Sequence, residues 1–193
     1  MKMTKSRVTH MTRDPEKPFD RSYWVAPKTL LAGCYPGSEY PDESAQRLKG
    51  LLNCGIRFVV NLMQAHETNY YGDGFVPYEK PLIVMGNELG IEVQCVRFPI
   101  PDMSIPSEKQ MIKILDTIDE TIERDTPVYV HCWGGVGRTG TVVGCYLARH
   151  GITTGQECLT KIKELRRGDP TAYRSSPETD EQSKMVMTWK KGK

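Results

Sequence analysis

The stretch PVYVHCWGGVGRTGTVVGCYLARH, residues 127 to 150, limits what this chain can fold into more than any other. An apolar run, a glycine-rich turn and a second apolar run of helical type follow one another without a spacer. That order reads as a buried strand, a tight loop and the N-terminus of a helix. Gly134, Gly135 and Gly137 lie in the loop, and Arg138 follows them. Backbone N–H groups of such a loop point inward, the helix dipole adds positive potential and the arginine supplies a planar fork of donors, so the cavity suits a tetrahedral dianion. Cys132 opens the loop in the same field. A free thiol titrates near pH ~8.5, and helix N-termini or cations lower that to roughly 3.5–7.5, so Cys132 is expected to be largely thiolate at neutral pH. A nucleophile and an oxyanion cradle share one loop.

A lone cysteine after a strand is ordinarily a small buried hydrophobe. Packing alone does not call for several loop glycines, an arginine six positions after the cysteine and a hydroxyl residue directly after it. The nucleotide-binding loop is excluded, because Gly135 and Gly140 are followed by Thr141 and Val142 with no lysine. The pattern H-C-x-x-G-x-x-R-T, carried by His131, Cys132, Gly135, Arg138 and Thr139, resembles the signature of the cysteine-dependent protein tyrosine and dual-specificity phosphatases. The resemblance extends over about residues 25 to 190 and is nearest to the compact dual-specificity-like members.

It implies an α/β fold: a central, mostly parallel sheet of about four to five strands flanked by helices. It also implies a phosphate site lined by Trp133, Gly134, Gly135, Val136, Gly137 and Arg138. The family carries its general-acid aspartate in a loop after the strand that precedes the signature strand. Asp102, thirty residues before Cys132 in the proline-stiffened PIPDMSIP, fits that place. The reaction needs such a group, because attack by Cys132 leaves an oxyanion whose protonation makes expulsion easy. By the same resemblance Thr139 hydrogen-bonds the sulfur, and His131 fixes loop geometry rather than transferring protons.

The rest of the chain divides at turn and cap signals. Residues 1 to 22 are polar and aperiodic, a mobile tail or an arm on the domain, with residues 23 to 193 forming one domain. Lys2, Lys5, Arg7 and Arg13 in that tail would suit a mitochondrial transit peptide, but Asp14 and Glu16 argue against it. TLLAGCYPG (29–37) reads as the first strand, its LAG-x-x-P similar to the opening strand of the resembled enzymes, and residues 42–54 as a helix ended by Gly55. RFVVNL (57–62) completes a strand–helix–strand unit, read as a parallel pair with a crossover. Residues 63–90 read as a surface excursion ending in a short helix from Lys80 to Leu89. The resemblance makes this connection a wall of the site mouth, from which Glu67 can pair with Arg138. IEVQCVRF (91–98) is a strand, and Ser107 with Gln110 caps the helix bearing Met111, Ile114, Leu115, Ile118 and Ile122. Thr154 with Glu157 repeats the capping pattern, and Ser176 with Pro177 is the expected start of a last helix. The SPETDEQ segment there resembles one whose polar residues position water for the second step. Tyrosine-specific enzymes carry glutamine where this chain has Glu178, so Gln182 is the better candidate, and helix capping accounts for Glu178.

Composition removes other classes. With 26 Lys and Arg against 24 Asp and Glu the chain shows no nucleic-acid signature. None of the six cysteines forms a Cys-x-x-Cys pair, and no signal-like or membrane-spanning apolar run occurs, which suggests free thiols and a cytoplasmic setting. The four His show no ligand spacing and the carboxylates do not cluster, so no metal or other cofactor is expected. The expected partner is a phosphorylated protein or peptide. A sulfurtransferase or arsenate reductase is disfavoured by the position of the cysteine, and a silent phosphate-binding module by the presence of Cys132, Arg138 and Asp102 together. A phosphoinositide phosphatase is the serious alternative. The loop residues Trp, Gly, Gly, Val and Gly hold no lysine, and the sequence displays no cation at the mouth beyond Arg138, which favours a monophosphate on an aromatic or peptide scaffold.

Overall fold

The computed structural model describes residues 16–193. A five-stranded sheet has the spatial order β1 (Ser22–Ala26), β2 (Leu30–Gly33), β5 (Val128–His131), β3 (Phe58–Asn61), β4 (Gln94–Arg97). Only the β1–β2 hairpin is antiparallel. β5 runs down the middle, with Leu31 and Val59 both in register with Tyr129, and every residue of β5 is buried. A strand buried on both faces needs helices on both sides. The crossovers through α1 (Pro41–Asn53) and α2 (Glu79–Glu88) carry the chain outward along the sheet, and the one through α3 (Glu108–Glu123) carries it back to β5. Right-handed connections then place α3 on the face opposite α1 and α2. α3 packs beside α4 (Gly137–Arg149), which also contacts α5 (Gln156–Leu165) and α6 (Asp180–Thr188).

That topology positions the site. The segments after β2, β3, β4 and β5 all leave the carboxyl ends of parallel strands, where open α/β sheets gather ligands. They carry Cys34 and Tyr35, Glu67, Asp102 and Cys132 respectively.

Several expectations needed revision. The parallel strands β2 and β3 are not neighbours, because β5 is inserted between them. The expected first strand is the second: Ser22–Ala26 precedes it as an edge strand. Residues 1–15 of the expected tail lie outside the described residues, whereas residues 16–22 lie against the domain. Phe19 sits edge-on to Tyr129 at 6.0 Å, and Lys17 Nζ donates to Gly168 O at 2.8 Å. Ser107 caps α3 through Gln110 N, but the Gln110 side chain donates to Pro99 O at 2.9 Å instead of completing the box. Gly155, at φ 57°, takes the N-cap of α5 and leaves Thr154 outside the helix. The last helix starts at Asp180 rather than Pro177, because Thr179 and Gln182 form the reciprocal capping box. Among the described residues no helix is long and apolar enough to cross a membrane.

Candidate active site

The loop from Cys132 to Val136 is held from outside by its carbonyls. His131 Nδ1 bonds Cys132 O at 3.1 Å, Tyr35 N donates to Trp133 O at 2.9 Å, Arg21 Nη2 to Gly134 O at 2.8 Å and Ser176 Oγ to Val136 O at 2.7 Å. In a planar trans peptide each carbonyl is antiparallel to the next N–H. Anchoring these four carbonyls therefore turns the amides of Trp133, Gly134, Gly135 and Gly137 to the inside of the loop. No acceptor among the described residues takes these amides. Val136, the N-cap of α4, makes no side-chain cap, so the first-turn amides stay open to an anion.

Glycine is required where the loop is most tightly packed. Gly135 adopts φ 70°, and a Cβ there would lie 2.5 Å from Gly33 C and 2.6 Å from Cys34 N. A Cβ on Gly137 would meet a Glu178 oxygen at 2.6 Å and Gln182 Oε1 at 3.1 Å.

Arg138 is buried, and its fork is fixed by three acceptors. Nη1 and Nη2 bond the two oxygens of Glu67, Nη1 also donates to Ile100 O at 3.0 Å, and Nη2 lies 2.9 Å from Asp102 Oδ1. Burial disfavours its charge, but Glu67, Cys132 and Asp102 outweigh that and hold the guanidinium more firmly protonated. Its Nε is buried without a partner among the described residues. Asp102 is half exposed at the rim. Its loop is pinned at both ends, by Gln110 Nε2 on Pro99 O at 2.9 Å and Gln182 Nε2 on Ser104 O at 3.0 Å.

His131 is buried and neutral. Burial, outweighing its bond to Cys132 O, depresses its pKa to about 3. Tyr78 Oη lies 2.6 Å from Nε2, and burial raises the Tyr78 pKa well above its usual value, so the phenol keeps its proton and donates it. Nδ1 therefore carries the imidazole proton and donates to Cys132 O. Burial also pushes the Cys34 and Cys145 thiols up, and raises Cys95 to about 12, so these stay protonated.

Cys132, Arg138, Asp102, Trp133, Gly134 and Glu178 share a cleft of about 180 Å³. Glu67 stands behind Arg138, and the 63–90 segment is both a surface excursion and a wall. Its Tyr70 and Phe75 rings lie 4.7 and 5.4 Å from Trp133. Two expected contacts differ. Thr139 Oγ1 points to Gly33 O at 3.5 Å rather than to the sulfur, because the β2 carbonyl lies beside the helix start. Gln182 lies against the loop, but its oxygen accepts from Glu178 N and Thr179 N and its nitrogen is used on Ser104. Its oxygen is fully used, while Nε2 keeps a second N–H beyond the one given to Ser104, so the amide braces the loop and still has a donor to offer. Glu178 does not cap the helix; its carboxylate pairs with Arg174.

Two charged cleft residues escaped the sequence reading, Arg21 and Arg174. They come from opposite ends of the chain, inside stretches that look like solvated charge. Arg174 is placed by the buried Arg166–Asp169 pair, whose guanidinium donates to Arg174 O at 3.2 Å. Among the described residues no three His, Cys, Asp or Glu side chains gather as a metal site.

A family profile described as "Polymorphic toxin system, DSP-PTPase phosphatase" matches residues 37–152. Mouse dual specificity protein phosphatase CDC14B is 40% identical over 149 residues, which cover 75% of this chain and 27% of that protein. The Caenorhabditis elegans tyrosine-protein phosphatase cdc-14 is 27% identical over 154 residues, 75% of this chain and 19% of the relative. The chain thus spans only about a fifth to a quarter of the length of these curated relatives. Among solved structures, Tk-PTP in its active form superposes with a TM-score of 0.63 at 24% identity, covering 86% of this chain and 93% of that one. PTPMT1 in complex with PI(5)P also reaches 0.63, at 20% identity, covering 88% and 94%. At such identities the two structures share the fold.

Proposed function

The chain belongs to the DSP-PTPase phosphatase family of polymorphic toxin systems, and from that premise we propose that it hydrolyses phosphotyrosine, and more slowly phosphoserine and phosphothreonine, in proteins through a cysteinyl-phosphate. The observation that carries this reading is the loop whose anchored carbonyls turn successive amides inward around Cys132, with Arg138 beside it. Substrate phosphate takes the place of the Asp102 carboxylate on Nη2 of Arg138 and reaches the unpartnered Nε, while Glu67 keeps the guanidinium plane fixed. Cys132 Sγ attacks phosphorus, and the amides take up the charge on the equatorial oxygens. Asp102, displaced from Arg138 and half exposed at the rim, takes up a proton from solvent and gives it to the leaving oxygen. It then removes a proton from the water that hydrolyses the S–P bond.

The Trp133, Tyr70 and Phe75 rings favour an aromatic leaving group, since ring contacts of this kind add about 0.5–1.5 kcal/mol each. Phosphate-release assays on phosphotyrosine, phosphoserine and phosphothreonine peptides and phosphoinositides, at matched ionic strength, test the proposal. The highest kcat/KM is expected for phosphotyrosine, and a clear preference for phosphoinositides would overturn the substrate assignment.

A further inference from the structure

Two guanidinium groups converge on Gly134. Arg21 Nη2 and Arg174 Nη1 lie 3.9 and 3.8 Å from where its Cβ would stand, and both side chains line the cleft that holds Cys132. Neither comes from the signature loop. Like charges brought this close repel unless an anion lies between them. Among the described residues Arg21 makes no ion pair; its Nη2 donates to Gly134 O and its Nε is buried without a partner. Arg174 has only Glu178, which lines the same cleft, and its backbone is held in place by Arg166. The arrangement is therefore built but under-neutralised.

We propose that Arg21 and Arg174 form a second anion subsite, which receives a carboxylate side chain adjacent to the phosphotyrosine of a peptide substrate. The assignment rests on the phosphatase reading above and deepens it. Location sets the reach. Gly134 is two residues from Cys132, so its backbone lies at most about 7 Å from that of the nucleophile, and an anion held there sits beside the phosphate site. Charge selects the ligand. Glu178 already offsets part of the Arg174 field, so the subsite suits a monoanion better than the second dianionic phosphate of an inositol ring. The aromatic wall of Tyr70 and Trp133 on the same rim accepts the phenyl ring.

The test compares two phosphotyrosine peptides that differ only by glutamate or glutamine beside the phosphotyrosine. Both kcat/KM in the wild type and equilibrium binding to Cys132→Ser are measured. The acidic peptide is expected to be favoured roughly five- to tenfold, as for a charge-assisted contact at a part-buried site. That ratio is expected to fall toward one in Arg21→Gln with Arg174→Gln, and in wild type at about 0.5 M salt, where screening is short-ranged. Glu178→Gln, which frees Arg174, is expected to raise it. The salt series and the single Arg174→Gln variant keep the test valid if replacing Arg21 disturbs the loop. A wild-type ratio near or below one, or a ratio unchanged in the variants, overturns the subsite, as does tighter binding of a soluble inositol bisphosphate than of the acidic peptide. Binding to Cys132→Ser reads the subsite even without turnover, so absence of turnover counts against the phosphatase reading alone.

Discussion

Stability should fall between pH 7 and pH 5 because of one imidazole. His131 is fully buried and binds a proton only near pH 3, held down by desolvation, whereas an imidazole in the unfolded chain titrates near pH 6.5. Between those values the unfolded state holds the extra proton, so folding weakens as pH falls and is unaffected by this group above about pH 7. At about 1.36 kcal/mol per pH unit below the unfolded pKa, the loss at pH 5 is about 2 kcal/mol, a large share of an ordinary domain's margin. Urea denaturation of wild type and His131→Asn across pH 5–8 measures it. The wild type should lose about 2 kcal/mol more than the variant over that range, carboxylate titrations being common to both. Tyr78→Phe should lower stability by about 1–3 kcal/mol by stranding Nε2, yet keep the wild-type pH slope. Parallel pH profiles for wild type and His131→Asn would refute the claim that a neutral histidine holds the loop.

Asp102→Asn should lower kcat about 10²–10⁴-fold on a substrate with a poor leaving group and flatten the basic limb of the pH-rate profile; an unchanged limb would shift the acid role to Asp73 or Glu67. Glu67→Gln leaves Arg138 buried with Asp102 and Ile100 O as acceptors, so it should cost about 2–3 kcal/mol in thermal or urea unfolding, less than full loss of a buried pair, and raise KM. Gly135→Ala, facing the Gly33 and Cys34 backbone at 2.5–2.6 Å with φ 70°, should fold with reduced stability and lose nearly all turnover, read by phosphate release and thermal melting.

What the sequence disclosed follows from range. The signature is local, so strand, loop and helix could be read from adjacent residues, and Asp102 followed from its place in the chain order. Glu67 emerged from the least regular segment only through the resemblance, which makes that connection a wall of the site mouth. Long-range partners left no such trace. The four donors on the loop carbonyls come from Arg21, Tyr35, His131 and Ser176, three of them remote in sequence. Arg21 read as part of a charged tail and Arg174 fell between two expected helices without a reading, and nothing local marks a side chain that folds over a distant glycine. The insertion of β5 between β2 and β3 was equally hidden, because alternation of strands and helices does not reveal spatial order. The contacts of Thr139 and Gln182 were hidden for a related reason: each has more than one polar group within reach, and neighbouring backbone supplied partners that the sequence does not mark.

The central claim is a covalent phosphate on Cys132. Mixing the protein with a radiolabelled phosphotyrosine peptide, quenching in acid within the first turnover and mapping the label tests it most directly. The account predicts label on the peptide containing Cys132, and neither label nor turnover in a folded Cys132→Ser protein. Label on another residue, or undiminished turnover by that variant, would contradict it.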